Sequence, residues 1–227
     1  MAILDRITRA LVIAPHPDDE ILGCGGTIAR LAKMGREVHV GIVTRGVPPR
    51  FSPEATETVR REATRAHETL GVSRTHWLGL PAAELDQVPH ADLNQAMGAL
   101  LADVVPDTVF LPFIGDIHLD HQLVFTSALV AVRPRAMTFP QRVYAYETLS
   151  ETNWYAPYVT PGFHPNVFVD ISETRDLKVD AFRQYQSQVQ QFPNERSVEA
   201  IEALAALRGA TVHRAAAEAF VLLREVG

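Results

Sequence analysis

Short apolar runs alternate with amphipathic stretches along this chain, and no other feature constrains its fold as strongly. The apolar runs have strand length and lie at residues 10–14, 38–44, 76–80, 108–112, 142–146 and 167–171. The amphipathic stretches have helical spacing and lie at residues 26–34, 53–70, 92–104, 120–132, 174–188 and 197–207. Strands that are apolar on both faces are typical of parallel sheets covered by helices on both sides. The sequence therefore predicts a single α/β domain over residues 1–227, a three-layer Rossmann-like domain with a mainly parallel sheet.

Composition excludes several classes of protein. The 227 residues carry a formal net charge of -6 and no basic cluster, which argues against a nucleic-acid partner. No apolar run reaches the roughly 18 residues of a membrane helix, so no membrane partner is expected. The single cysteine, Cys24, cannot form an intramolecular disulfide, and we therefore expect a reducing, cytoplasmic location.

Polar residues follow two of the predicted strands. His16, Asp18, Asp19 and Glu20 come directly after the first strand, at a place where ligands bind in open α/β sheets. Charges placed there must be solvated, paired or coordinated, because burying them alone is unfavourable.

The second polar segment contains Asp116, His118, Asp120 and His121, just past the strand predicted at residues 108–112. Both segments lie at carboxyl ends of strands, so we expect them to converge. Two imidazoles and one carboxylate suit a catalytic zinc ion, which keeps one position for water. The alternative interpretation is a pair of solvated loops in which one histidine caps a helix.

These two segments resemble the signatures of a known family. Residues 14–20, Ala-Pro-His-Pro-Asp-Asp-Glu, are similar to the AHPDDE signature of the LmbE/PIG-L family of zinc-dependent N-acetylglucosamine-type deacetylases. Residues 118–121, His-Leu-Asp-His, match its HxDH signature, although Leu119 replaces the usual proline. Weaker resemblances at residues 165–172, 185–188 and 217–220 extend the likeness over nearly the whole chain.

The resemblance implies a metal-dependent amidase that removes an N-acetyl group from an N-acetylglucosamine-type amino sugar or sugar conjugate. Its metal, Zn²⁺ or in the cell Fe²⁺, would be bound by His16, Asp19 and His121. Asp18 would be the general base on the water that the metal activates. His118 would stabilise the oxyanion and protonate the leaving amine, and Asp120 would hold His118. Family members also assemble into homo-oligomers.

Three residues are predicted to contact the substrate. The family arginine three positions before a glutamate is absent here, since Val59 stands three positions before Glu62, and Arg60 is the nearest replacement. Arg45 follows the second strand, where it could meet a substrate anion or simply pair with an acid.

Two long irregular segments are predicted to shape the pocket, at residues 46–52 and 149–165. The second contains His164, the third predicted substrate contact. It also contains Trp154, Tyr155 and Tyr158, which could stack on a sugar or pack the loop onto the body.

Other features favour structural roles. The segment from Gly23 to Gly26 lacks the last glycine of a dinucleotide-binding fingerprint, because Ile28 stands there, and is predicted to form a tight turn. Cys24 is predicted to be a buried packing residue, His39 a structural residue and His67 a solvent-facing one.

Two other functions share the same residues. Two histidines and one carboxylate also form the facial triad of non-haem iron(II) oxygenases. A non-catalytic sugar-binding module could likewise keep the fold. The extra carboxylates beside the predicted ligands favour the hydrolase.

Overall fold

A seven-stranded sheet forms the centre of the protein, in a computed structural model that describes residues 3–135, 138–154, 156 and 158–227. The strand order is β3-β2-β1-β4-β5-β7-β6. The strands are β1 (Arg9–Ala14), β2 (Glu37–Arg45), β3 (Arg74–Pro81), β4 (Thr108–Pro112), β5 (Arg142–Tyr146), β6 (Val167–Asp170) and β7 (Ala217–Glu225). Strands β1 to β5 pair in parallel, and β7 pairs antiparallel with both β5 and β6. The predicted mainly parallel sheet is confirmed.

Helices cover both faces of this sheet. The α-helices of the described residues are α1 (Asp19–Lys33), α2 (Pro53–Leu70), α3 (His90–Val104), α4 (Leu119–Ala131), α5 (Arg175–Gln184) and α6 (Val198–Thr211). One apolar core joins α1, α2, α5 and α6 to the sheet, and a second core joins α3 and α4 to its other face. None of these helices is long and apolar enough to cross a membrane. The three-layer prediction is therefore confirmed.

Local signals explain why α2 begins and ends where the sequence predicted. The Ser52 side chain accepts a hydrogen bond from the backbone N–H of Ala55 at 3.1 Å, which caps the first turn. Gly71 ends the helix with φ of 77°, a left-handed conformation that glycine adopts without steric penalty.

The prediction of a tight turn at residues 23–26 was wrong, because these residues lie within α1. Gly26 lets the helix approach Ile171: a Cβ atom on this glycine would lie 2.7 Å from Cδ1 of Ile171. The glycines therefore allow close packing of α1 rather than a turn. Cys24 lies in the core with a free thiol, which agrees with the predicted packing role.

Two further elements differ from the prediction. Strand β7 was not predicted, although it joins β5 to β6 in the sheet. His67 was predicted to face solvent but is buried, where its Nε2 lies 3.1 Å from Oε1 of Glu20 and its Nδ1 lies 2.7 Å from Oγ1 of Thr75. The prediction for His67 was wrong because a buried carboxylate of α1 supplies its partner.

The strand order sets the position of the functional site. From β1 the chain proceeds to β2 on one side, whereas β4 lies on the other side of β1. A reversal of this kind opens a crevice beyond the carboxyl ends of the two central strands. The two polar segments follow β1 and β4, so the topology brings them to this crevice.

Candidate active site

His16, Asp19 and His121 converge at the crevice. His16 follows β1, Asp19 is the first residue of α1, and His121 lies in the first turn of α4. Oδ2 of Asp19 lies 3.4 Å from Nδ1 of His16 and 3.2 Å from Nε2 of His121. One ligand atom from each residue lies within 4.8 Å of the others. The three predicted ligands could therefore hold one metal ion.

Two carboxylates orient the imidazoles of this group. Nε2 of His16 lies 2.9 Å from Oδ2 of Asp120, and Nδ1 of His121 lies 2.8 Å from Oδ2 of Asp116. In the neutral form that binds a metal, we assign the ring proton of each histidine to the nitrogen that faces its carboxylate. The lone pairs of His16 Nδ1 and His121 Nε2 then both face Asp19. This is how partner carboxylates prepare histidines as metal ligands.

Unsatisfied atoms support the fit to a metal. Oδ1 of Asp19 and Nε2 of His121 are buried and have no hydrogen-bond partner among the described residues. Each such group destabilises a protein by roughly 1–3 kcal/mol. A divalent cation would satisfy both atoms, and the nitrogen and carboxylate donors are those that zinc accepts.

A second group of three, His16, His118 and Asp120, also has ligand atoms within 4.8 Å of one another. Its atoms are already engaged, however. Oδ2 of Asp120 accepts a hydrogen bond from the backbone N–H of Ala83 at 2.7 Å, and Nδ1 of His118 accepts one from the backbone N–H of Asp120 at 3.1 Å. The group of His16, Asp19 and His121 therefore fits a metal better.

The protonation of this group follows from its neighbours. Burial disfavours the charged form of Asp19, but the adjacent His121 and His16 outweigh it and hold the pKa of Asp19 well below its ordinary value. Burial likewise opposes protonation of His16, yet the hydrogen bonds to Asp120 and Asp19 raise its pKa to about 9, so a metal ion that binds His16 at neutral pH displaces a proton from the imidazole. Asp19 is thus an anion at neutral pH, as a metal ligand must be.

Asp18 occupies an unusual backbone conformation beside this group. Its φ of 110° is left-handed, which costs a non-glycine residue on the order of 1–3 kcal/mol. Its Oδ2 lies 2.9 Å from Nη1 of Arg196, while its buried Oδ1 has no partner among the described residues. Burial raises the pKa of Asp18 to about 8, although Arg196 opposes this rise.

His118 and Asp120 do not form the pair that the family resemblance implies. The Asp120 carboxylate accepts from His16 and from the backbone, and the hydrogen bond of His118 among the described residues is the one that its Nδ1 accepts from the backbone N–H of Asp120. Burial and the neighbouring His16 lower the pKa of His118. With Nδ1 acting as an acceptor, a neutral His118 carries its proton on Nε2.

A cavity of about 1000 Å³ opens onto His16 and Asp18. Its walls come from the carboxyl ends of β2 and β3, the first half of α2 and the loop of residues 46–52, as predicted for that loop. Arg45 and Arg60 line this cavity. His118 and His164 are not among its lining residues, and His164 is exposed.

The second loop, residues 149–165, contributes differently. Trp154 is 60% exposed, and its Nε1 donates to Oε2 of Glu195 at 3.0 Å. Tyr158 is fully exposed. Tyr155 lies outside the described residues. Stacking of these rings on a sugar stays a prediction.

Two residues contact the predicted machinery although the sequence gave Asp116 no individual role and indicated Arg196 only as a pocket candidate without a specific argument. Asp116 orients His121, and Arg196 pairs with Asp18. The nearness of Asp116 to His121 in the same segment could have indicated the first contact. Arg196 precedes α6, far along the chain from Asp18, and no pattern in the sequence joins the two.

Residues 11–132 match the family described as PIG-L: GlcNAc-PI de-N-acetylase. This match spans more than half of the chain, from β1 to the end of α4, and it includes both polar segments. The chain belongs to the PIG-L family.

Relatives of this PIG-L protein agree with the assignment. It is 30% identical over 186 residues to the uncharacterized deacetylase YaiS of Escherichia coli (strain K12), covering 78% of this chain and 90% of that protein. It is 29% identical over 199 residues to the diacetylchitobiose deacetylase of Thermococcus kodakarensis, covering 83% and 72%. The crystal structure of the conserved protein TT1542 from Thermus thermophilus is similar with a TM-score of 0.78 and 30% identity, over 96% of each chain. The predicted enzyme class, a deacetylase that hydrolyses a linear amide, is confirmed.

Proposed function

We propose that this PIG-L protein is a zinc-dependent deacetylase that removes the N-acetyl group of an N-acetylglucosamine-type amino sugar or sugar conjugate. The observation that carries the proposal is the group of His16, Asp19 and His121, whose unsatisfied buried atoms lie beside Asp18 next to a large cavity. The Thermococcus kodakarensis relative, a diacetylchitobiose deacetylase, supports a substrate of this class.

A zinc ion bound by His16, Asp19 and His121 would lower the pKa of water to about 7 and polarise the amide carbonyl. Ferrous iron accepts the same donors, so metal analysis of the purified protein decides between them.

In this proposal, Asp18 in its ionised form takes the proton of the attacking water. Its Oδ2 pairs with Arg196, which fixes the orientation of the carboxylate. Its Oδ1 has no partner among the described residues, so this oxygen can accept the proton of the water. The water oxygen bonds to the carbonyl carbon, and the carbon–nitrogen bond then breaks. The proton held by Asp18 passes to the leaving nitrogen, which gives acetate and a free amine.

In this proposal, His118 stabilises the oxygen on which negative charge develops. Its ring centroid lies 4.6 Å from that of His16, so it borders the proposed metal ligands. A hydrogen bond donated by Nε2 would strengthen as the carbonyl oxygen becomes an oxyanion. In this assignment His118 acts as a neutral donor, and Asp120 acts through His16.

The test is acetate release from a panel of N-acetylglucosamine conjugates, diacetylchitobiose included, by protein with a measured zinc content. We expect one acetate for each free amine formed, and loss of turnover after chelation with recovery when zinc returns. Saturable binding across the panel without any acetate would instead indicate a sugar-binding module. Oxygen consumption with a 2-oxo acid, again without acetate, would indicate an iron(II) oxygenase.

Two predictions accompany this proposal. Assembly into homo-oligomers is expected from the family resemblance, and light scattering coupled to size-exclusion chromatography measures it. A cytoplasmic location is expected from the single cysteine.

A further inference from the structure

Glu20 is a fully buried carboxylate that the proposed mechanism does not use, although it follows Asp19 directly in α1. Its Oε2 accepts a hydrogen bond from the backbone N–H of Asp18 at 3.2 Å. Its Oε1 accepts one from the Tyr185 hydroxyl at 2.6 Å and lies 3.1 Å from Nε2 of His67. Because an ionised carboxylate only accepts, Nε2 of His67 is the donor. One oxygen of Glu20 thus binds two side chains, and the other binds the backbone of Asp18.

The two side chains that bind Glu20 come from other parts of the fold. Tyr185 directly follows α5, and His67 lies in the last turn of α2. Both are buried. His67 has a second contact with β3, since its Nδ1 lies 2.7 Å from Oγ1 of Thr75. The Glu20 side chain is therefore fixed by two elements that pack against α1.

Asp18 has a backbone conformation that needs such support. A left-handed φ of 110° persists in a non-glycine residue only where the surrounding structure fixes it. The carbonyl oxygen of Asp18 accepts from the backbone N–H groups of Ile21 and Leu22, both at 3.0 Å. Arg196 contacts its side chain, and Glu20 contacts its N–H. Together these contacts determine where the unpartnered Oδ1 of Asp18 points.

The alternative interpretation of Glu20 is helix capping. A glutamate at the third helical position often reaches back to the N–H of the N-cap residue and stabilises the helix. Glu20 is the second residue of α1, and Asp18 is its N-cap. Burying a carboxylate opposes folding unless it is paired, so one capping bond does not explain why Glu20 is completely buried and has two further donors.

We propose that Glu20 is a positioning residue for the deacetylation: through the backbone N–H of Asp18 it holds the general base toward the attacking water, while Tyr185 and His67 hold Glu20. This inference rests on the proposed function, because it concerns the base of that reaction. Glu20 does not line the cavity, so it acts through Asp18. Such positioning matters because a displacement of about 1 Å can lower a rate on the order of 100-fold.

The decisive variant is Glu20→Gln, which keeps the size of the side chain but leaves one acceptor oxygen. Tyr185 and His67 both donate to one oxygen, so the glutamine oxygen should stay with them. The amide NH2 group then faces the N–H of Asp18, a donor opposite a donor. With zinc-loaded protein and diacetylchitobiose, we expect kcat to fall on the order of 10- to 100-fold, with KM and zinc content unchanged.

The matched control is Glu218→Gln, which alters another buried carboxylate that binds α1. Glu218 accepts from the backbone N–H groups of Gly26 and Thr27 at 2.8 and 2.7 Å and from Nζ of Lys178 at 2.6 Å. Gly26 lies about 12 Å along the helix from Asp18. This variant should lower the free energy of unfolding, measured with urea, and leave kcat unaltered. Equal losses of kcat in the two variants would show that destabilising α1 is sufficient, and would overturn the inference.

A second measurement needs no turnover. Hydrogen exchange of the Asp18 amide, followed by NMR, reports on its bond to Glu20. Exchange at Asp18 should be faster in Glu20→Gln than in the wild type, while exchange at Gly26 stays the same. Unaltered exchange at Asp18 overturns the inference.

Tyr185→Phe decides the question if Glu20→Gln does not fold. It removes one of the two donors that fix Glu20 and keeps the aromatic ring in the core. We expect kcat to fall about 2- to 10-fold at unchanged KM, which corresponds to the loss of one hydrogen bond, with faster exchange at Asp18. Unchanged kcat and unchanged exchange in this variant contradict the inference.

The two readouts separate this inference from the proposed function. If the wild type releases no acetate but exchange at Asp18 depends on Glu20, the proposed function fails and the support of Asp18 by Glu20 stands. If the wild type releases acetate and folded Glu20→Gln keeps its kcat, the positioning role fails and the deacetylase stands.

Discussion

Two clusters of histidines and acids among the described residues differ in position and in how their atoms are satisfied. The first cluster consists of His16, Asp19, Asp116, His118, Asp120 and His121, beyond the carboxyl ends of β1 and β4. The second cluster consists of Glu37, His39, His76 and Asp103, toward the amino ends of β2 and β3. Both are composed of imidazoles and carboxylates at hydrogen-bond distance.

In the second cluster, every imidazole nitrogen lies within 3.2 Å of a polar atom of the same cluster. Nδ1 of His39 lies 2.8 Å from Nε2 of His76, and Nε2 of His39 lies 2.8 Å from Oε1 of Glu37. Nδ1 of His76 lies 3.2 Å from Oδ2 of Asp103. In the first cluster, the buried Oδ1 of Asp19 has no partner among the described residues, and Nε2 of His121 makes no hydrogen bond there although it lies 3.2 Å from Oδ2 of Asp19. The difference indicates that buried unsatisfied atoms at the carboxyl ends of strands, rather than the mere presence of histidines and acids, single out the proposed metal site.

The largest expected effect comes from removing one imidazole from each cluster. His121→Ala should lose the metal and with it turnover, on the order of 1,000-fold or more, because a metal ion supplies several kcal/mol of transition-state stabilisation. His39→Ala should keep both. Metal content by atomic emission and acetate release measure these outcomes. Metal retained by His121→Ala and lost from His39→Ala would reverse the assignment of the two clusters.

The next prediction separates the general base from the ligands. Asp18→Asn should keep the metal but lower kcat on the order of 100- to 10,000-fold, because an amide cannot accept the proton from water. Asparagine tolerates the left-handed backbone of this position better than most residues, so folding should be preserved. Asp103→Asn makes the same change in the second cluster and should leave kcat unaltered. A normal kcat in zinc-loaded Asp18→Asn would exclude Asp18 as the base.

Substitution of Asp120 tests whether its carboxylate acts through His16, as the observed hydrogen bond indicates, or through His118, as the family resemblance implies. Because its carboxylate accepts from His16, Asp120→Asn should weaken zinc affinity, on the order of 10- to 100-fold for loss of such a partner. Competition with a chromophoric chelator measures this affinity, with Asp103→Asn as the control. A fall in kcat at unchanged zinc affinity would favour the implied role, in which Asp120 supports His118.

The fold and the ligand group were predictable for a shared reason. Apolar runs followed by polar residues locate both the strands and their carboxyl ends, and parallel strands place those ends together. That reasoning brought together the two segments that contain His16, Asp19 and His121, and the family resemblance then named these three residues as ligands. The same reasoning placed Arg45 at the carboxyl end of β2, where it lines the cavity.

Contacts between distant segments were not predictable. Arg196 reaches Asp18 only after α5 packs against α1 and α6 packs against α5, and no sequence pattern encodes that approach. His67 was assigned to solvent because it lies on a polar stretch, yet the buried Glu20 of α1 is its partner. Likewise Gly26 is explained by Ile171, which packs against it from another part of the chain. Local patterns predict elements and their ends, whereas partners chosen by packing require the assembled structure.

The smallest expected effect is the response of the second cluster to acid. Burial lowers the pKa of His76, and the nearby His39 and Arg74 lower it further. The Asp103 carboxylate opposes this shift. Glu37 contacts His39 and not His76. A histidine with a depressed folded-state pKa contributes stability above its unfolded pKa of about 6.5 and loses it as the pH falls through the folded value. The free energy of unfolding, measured with urea at pH 7.5 and 5, should therefore decrease less for His76→Gln than for the wild type. Both proteins keep the first cluster, so its contribution cancels in the difference. An equal decrease would mean that protonation of His76 does not lower the free energy of unfolding. The hydrogen bonds within the second cluster would then not favour the neutral imidazole.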